Sequence, residues 1–309
     1  MTRSRHSMLC RGIGTVSRLA LVAGLSLNFL QIGSAQPGEA EVKVGILKTF
    51  FEEEEQDEKK LLNQMRPFAD TLEQQMGMTG EFLLVHHIEE LAHQMKKDRI
   101  HLAAVHGLEY GWLRQLVPDC KPLVIAVNER AAMKLLIVTR KDNALAQAPL
   151  EDLKTLRGKR LAWPPRTSFY VRFYLEQTMG CPASKAFRLV TVKNVAAAMD
   201  DVVDGRADLA AVSDLAAEVY RGLKPVRYEK LKVIHESPLF PAPALVYRAS
   251  PGREEMLHKL KDNLLRADAT AEGRQMLTAW RLTGFREPPK DYDQQALEIA
   301  RRYPRPTGK

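Results

Sequence analysis

Leu161-Ala-Trp-Pro-Pro-Arg-Thr-Ser-Phe-Tyr-Val-Arg172 reads as a strand, a rigid turn and the start of a helix. The strand spans Lys159 to Trp163, Pro164-Pro165 forms the turn, and the helix runs from about Ser168 to Gly180. Thr167 or Ser168 is suited to cap that helix, because a hydroxyl accepts from the unpaired first-turn amides. A helix start carries partial positive charge and free N–H donors, so it favours anions. Arg166 beside it and Arg172 one turn in strengthen that preference. An ordinary capped helix with solvated arginines is the competing reading, and the rest of the chain has to decide.

Working outward, the same strand–helix unit recurs on both sides. Upstream, Glu41 to Leu47 is a first strand, and Lys48-Thr49-Phe50-Phe51 is the loop after its carboxyl end. A helix from about Gln56 to Met76 follows, with Pro67 predicting a kink or early break. Phe82 to Val85 and Ile100 to Val105 are further strands, the latter leading into His106-Gly-Leu-Glu-Tyr110. Leu123 to Val127 and Met133 to Val138 form a pair of apolar strands. Downstream come strands at Phe187–Val192, Ala207–Val212 and Leu231–His235, with helices at Asn194–Asp204 and Asp214–Gly222 between them. Such alternation predicts an α/β fold with largely parallel sheets.

Two composition shifts divide the chain. Thr139 to Pro149 is polar and reads as a crossing into a second domain. Glu236 to Pro243, stiffened by prolines, reads as the return, after which Ala244 to Tyr247 is an apolar strand and helices follow. The predicted lobes are therefore 36–139 with 244–309, and 140–243. Ligands of such folds sit between lobes, at the carboxyl ends of strands.

Residues 1–35 read as a signal peptide. Arg3, Arg5, Arg11 and Arg18 give a basic start, Leu19 to Leu30 is an apolar run too short for a comfortable span, and Gly33-Ser34-Ala35 supplies the cleavage site. Of 46 Lys and Arg, these four are lost on export, leaving 42 against 38 Asp and Glu, a net charge of +4. That balance lacks the clustered basic stripe of a nucleic-acid binder. Cys120 and Cys181 remain, and two unpaired thiols or a disulfide in an oxidising compartment are both open.

The mature chain resembles the phosphate/phosphite/phosphonate-binding proteins of ABC importers, a branch of the type 2 periplasmic binding proteins. The resemblance is carried by Val42–Leu47, Ile100–Val105 with Tyr110, Leu156–Ala162, Asp204–Ala210 and Ser237–Val246 in that order. It implies a two-lobed fold, each lobe a mixed, mostly parallel sheet flanked by helices, with the ligand cleft at the hinge. It also implies an anion loop of Ser-Thr-Ser-Gly type, matched here by Arg166-Thr167-Ser168-Phe169. Thr167 and Ser168 carry over; arginine and phenylalanine stand where the family prefers serine and glycine. Tyr110, Asn194 and the Ser213-Asp214 segment match other ligand-contacting positions.

Each of these has a plain alternative. Tyr110 suits the cleft or the core; Asp214 and Asn194 suit a ligand or a helix N-cap; Phe50 and Phe51 wall the cleft or pack on the lobe. His86, His87, His93, His101 and His106 crowd 21 positions but lack H-x-x-x-H or H-E-x-x-H spacing, so no metal is expected. No hydrolase elbow or phosphate loop occurs. The expectation is a monomeric, non-enzymatic, cofactor-free periplasmic protein. It would close on a small anion and serve an inner-membrane ABC permease, or alternatively a sensor kinase. An exported hydrolase built on Ser168 is the remaining alternative.

Overall fold

The computed structural model describes residues 41–50, 63, 65–128, 130–147, 150, 152–165 and 167–305. The signal segment, Phe51, the start of the predicted Gln56 helix and Arg166 lie outside them.

In chain order the strands are β1 (Glu41–Leu47), β2 (Thr79–Val85), β3 (Leu102–Val105), β4 (Cys120–Val127), β5 (Ala132–Met133), β6 (Leu135–Arg140), β7 (Arg160–Trp163), β8 (Arg188–Thr191), β9 (Leu209–Ser213), β10 (Leu231–Glu236), β11 (Phe240–Pro241), β12 (Ala244–Arg248) and β13 (Gly284–Arg286). Among the described residues, the helices longer than four residues are α1 (Arg66–Met76), α2 (Ile88–Lys96), α3 (Gly107–Leu116), α4 (Phe169–Met179), α5 (Val195–Val203), α6 (Asp214–Leu223), α7 (Glu254–Leu265), α8 (Ala271–Trp280) and α9 (Tyr292–Arg302). Pro67 falls in the first turn of α1, where its missing N–H costs nothing.

One sheet has the order β13-β4-β12-β3-β1-β2, the other β10-β6-β9-β7-β8, and β5 pairs with β11 in a short ribbon. Parallel pairs join β2, β1 and β3, and β8, β7 and β9. The antiparallel pairs in the two sheets all involve β4, β12 or β6, the strands that flank the passages between sheets. Helix alternation does not announce them.

β6 differs from its sequence reading. It is apolar like β4 and near it in sequence, yet it hydrogen-bonds β9 and β10 rather than β4. The chain leaves the first sheet after Val127 and enters the second at Leu135, ahead of the polar stretch from Thr139. An apolar run shows that a strand is buried, not which sheet buries it.

β1 shows why these segments become strands. Val42, Val44 and Ile46 pack on Phe68, Leu260 and Met276 on one side of the sheet, while Gly45 faces Leu91 and Ile100 on the other. A parallel strand covered on both faces reads as a nearly continuous apolar run, as this one does. Beyond the second sheet, Ala198, Met199 and Val202 of α5 pack on Val138 and Ala210. The third cluster is continuous between the two sheets, joining Val105 and Leu113 to Leu161, Tyr170 and Phe173.

Helix α9 and the residue that ends it are fastened to α3 and to the passage between β11 and β12. Tyr110 Oη donates to Asp293 at 2.7 Å, Tyr292 Oη to the Ala242 carbonyl at 2.6 Å, and Trp112 Nε1 to the Tyr303 carbonyl at 2.9 Å. Gly111 permits the approach, since a Cβ there would lie 2.0 Å from the Ala296 carbonyl oxygen and 2.7 Å from the Ala300 Cβ. Gly111→Ala is therefore expected to destabilise the fold by about 1–3 kcal/mol, the usual range for overpacking. Urea unfolding followed by circular dichroism measures it, and an unchanged midpoint would contradict this seating of α9.

Candidate functional site

Four strands, two from each sheet, deliver their carboxyl ends to one region. β1 runs into a 3-10 turn, Lys48–Phe50, β3 into His106 and α3, β7 into the proline turn and α4, and β9 into Ser213 and α6. The junction is closed by rings. Phe50 stacks on His106 with centroids 4.1 Å apart and planes 6° apart, and His106 stacks on Phe169 at 4.4 Å and 11°. Phe50 and Phe169, distant in sequence, thus meet the same imidazole from opposite faces.

Beneath the stack lies a buried carboxyl. Thr49 Oγ1 donates to Glu109 Oε1 at 2.6 Å, and the His106 amide donates to Glu109 Oε2 at 2.9 Å. Burial pushes the Glu109 carboxyl up to about 7 and the His106 imidazole down to about 4, so both groups favour their neutral forms. His106 Nε2 lies 3.4 Å from the Thr49 carbonyl. Gly107 follows because a Cβ there would sit 2.3 Å from the Pro241 carbonyl oxygen of the ribbon.

On the second sheet's side, Ser168 is the N-cap residue of α4 but its hydroxyl makes no capping bond, and its side chain is exposed. Thr167 Oγ1 donates to the Pro164 carbonyl at 2.8 Å, which closes the turn. The Tyr170 hydroxyl lies beside those of Ser168 and Ser213, and burial raises its pKa to about 12.

The remaining sequence candidates go elsewhere. Tyr110 is fully buried, stacked on Tyr292 with its hydroxyl bonded to Asp293, so it belongs to the core and not to the cleft. Asn194 accepts from the Ala197 amide at 2.9 Å and caps α5. Asp214 is not the cap of α6; Ser213 is, accepting from Ala216 at 3.1 Å. Asp214 instead pairs with Arg130 at 2.9 Å, in the passage from β4 to β6, which also reaches Glu218. His101 accepts from the Lys43 amide at 3.2 Å and His93 lies exposed on α2. Among the described residues no three His, Cys, Asp or Glu side chains converge as metal ligands. Cys120 is buried and Cys181 partly so, and both are free thiols.

His106, Glu109, Thr49 and Tyr170 were not singled out by the sequence as ligand contacts. For His106 the signal was present: it follows β3 at its carboxyl end and precedes a glycine, the position that the strand-end rule favours.

The sequence matches the family described as ABC transporter, phosphonate, periplasmic substrate-binding protein over residues 54–292. The chain belongs to this family. It is a solute-binding protein of the periplasm, and the family's role is binding rather than catalysis. Among solved structures, a binding protein component of an ABC phosphonate transporter from Pseudomonas aeruginosa aligns at 20% identity and TM-score 0.50, over 84% of this chain and 85% of the other. A Xanthomonas citri protein bound to chloride ion aligns at 19% identity and TM-score 0.53, over 84% and 96%. The same protein bound to ATP gives 18% and 0.52, over 85% and 96%. These likenesses establish the two-lobed fold. No curated protein matches the sequence.

The two buried titrating groups oppose one another. Between pH 4.5 and 7 the folded state holds a proton on Glu109 that the unfolded chain releases, so raising pH through this range costs stability. Between pH 4 and 6.5 the unfolded chain holds a proton on His106 that the fold refuses, so raising pH there restores stability. Over their shared range the slopes cancel. Glu109→Gln removes the first one alone. Its unfolding free energy relative to wild type should rise by about 2 kcal/mol from pH 4.5 to 6.5, by the linkage slope for one proton. A difference that stays constant across those pH values in urea titrations would show that Glu109 ionises normally.

Proposed function

We propose that this substrate-binding protein takes a small phosphonate-class oxyanion into the cleft between its sheets and delivers it to an inner-membrane permease. The observation carrying the reading is the start of α4. Ser168 presents an exposed hydroxyl with no capping bond, at the carboxyl end of β7 and next to the Phe169 and Tyr170 amides, whereas the Val171 and Arg172 amides already donate to the Ser168 carbonyl at 3.1 Å. Three oxyanion oxygens suit that set of donors. Ser168 and Tyr170 would donate hydroxyl hydrogens, and Thr167, held by Pro164, would shape the turn. Arg166, which precedes them in sequence, would supply positive charge.

We place the hinge at the β5–β11 ribbon, so that one lobe runs from about residue 135 to 236 and the other takes the flanking segments. Residues 1–35 would direct export and be removed in the course of it. Phe169 of α4 already lies on His106, and in the closed form this contact between the two sheets' strand ends would exclude water and strengthen each charge-assisted hydrogen bond. The protein would act as a monomer, and the permease is the partner that the family implies.

Thermal-shift titration of the purified protein with phosphite, phosphate, methylphosphonate, sulfate and acetate tests the reading. A ligand present at about a hundredfold over its Kd stabilises the native state by about 2.7 kcal/mol, a readily measured rise in Tm. Ser168→Ala should weaken the best anion by about tenfold, the worth of one hydrogen bond to a charged group. Absence of any shift with all five anions would refute anion capture.

A further inference from the structure

The ring stack bears on which anion fits. Its three members come from different strand ends: Phe50 after β1, His106 after β3 and Phe169 at the first turn of α4. At 4.1 and 4.4 Å between nearly parallel rings they are in van der Waals contact, so no group enters between them. Phe169 is braced from behind by Phe173, one turn along α4, at 5.7 Å.

The imidazole has little freedom to step aside. The His106 backbone amide is bonded to Glu109, the following Gly107 is pressed against Pro241, and the ring's Nε2 lies 3.4 Å from the Thr49 carbonyl. The side chain of the first helical residue stands beside any anion held by the α4 amides. In this chain that side chain is a phenyl ring lying flat on the opposite sheet's histidine.

We propose that Phe169, backed by His106 and Phe50, is a specificity-determining residue that restricts the ligand to anions with no substituent larger than a methyl group. The inference rests on the anion site at α4 proposed above. A substituent directed from that site toward the first sheet would have to part the stack, losing the contacts of three rings. Phosphite and methylphosphonate need no such opening; phenylphosphonate and 2-aminoethylphosphonate do.

Isothermal titration calorimetry with these four compounds provides the test. Wild type should bind phosphite or methylphosphonate at least about tenfold more tightly than phenylphosphonate, the discrimination a closed pocket imposes on extra bulk. Phe169→Ala should collapse that ratio to within about threefold by admitting the larger compounds, on the same steric argument. Phe50→Ala removes the far ring from a different element and should shift the ratio the same way, should the first variant fail to fold. Equal binding of phenylphosphonate and phosphite by wild type would overturn the size limit while leaving anion capture in place. Discrimination in wild type that neither folded variant relaxes would also overturn it. Binding of none of the four, with no anion stabilising the protein, would defeat the underlying site as well.

Discussion

Strand β12 is hydrogen-bonded along both edges, antiparallel to β3 on one side and to β4 on the other. The chain reaches that slot only after building the whole second sheet. A buried central strand must have its backbone groups paired, so β12 cannot be left out without exposing two strand edges. This requirement makes the chain leave and return, and the two passages lie side by side. Their contact is explicit: β5 pairs with β11, the Ala242 amide donates to the Ala131 carbonyl at 2.9 Å, and the Ser237 amide to the Leu135 carbonyl at 2.9 Å. The ribbon in turn presses Pro241 against Gly107, at the start of α3. The position of His106 and Glu109 thus follows from how the sheet is closed.

What was legible in the sequence was whatever depends on neighbours in the chain. β1, β3, β7 and β9 are short apolar runs bounded by turns, and Asn194 caps its helix as its residue type and place suggest. Phe50 was legible as a residue of the loop at the carboxyl end of β1, where it stacks on His106; the choice between walling a cleft and packing on its own lobe was left open. The illegible parts depend on distant partners. Tyr110 has the same local context whether its hydroxyl finds a ligand or Asp293, which is 183 residues away. Ser213 and Asp214 are both good caps by type; Arg130, from another segment, takes Asp214 and leaves the cap to Ser213. The sheet that owns β6 is likewise decided by pairing and not by composition.

The aromatic stack joins shape to electrostatics. A carboxylate on the first sheet's wall would repel an anion bound opposite, by about 2 kcal/mol at about 8 Å separation and an effective dielectric near 20. Burial raises the Glu109 carboxyl to about 7 and so lowers this repulsion at neutral pH, and part of what encloses it is the segment carrying Thr49 and Phe50 together with His106. Opening that cover would hydrate Glu109 and return it toward an ordinary carboxylate, charged at neutral pH. Hydration would also return His106 toward its ordinary value, where it takes up a proton only in mild acid. In the proposed cleft the wall is therefore least repulsive when the rings are stacked, and the contact that would narrow the site also lowers the negative charge beside it.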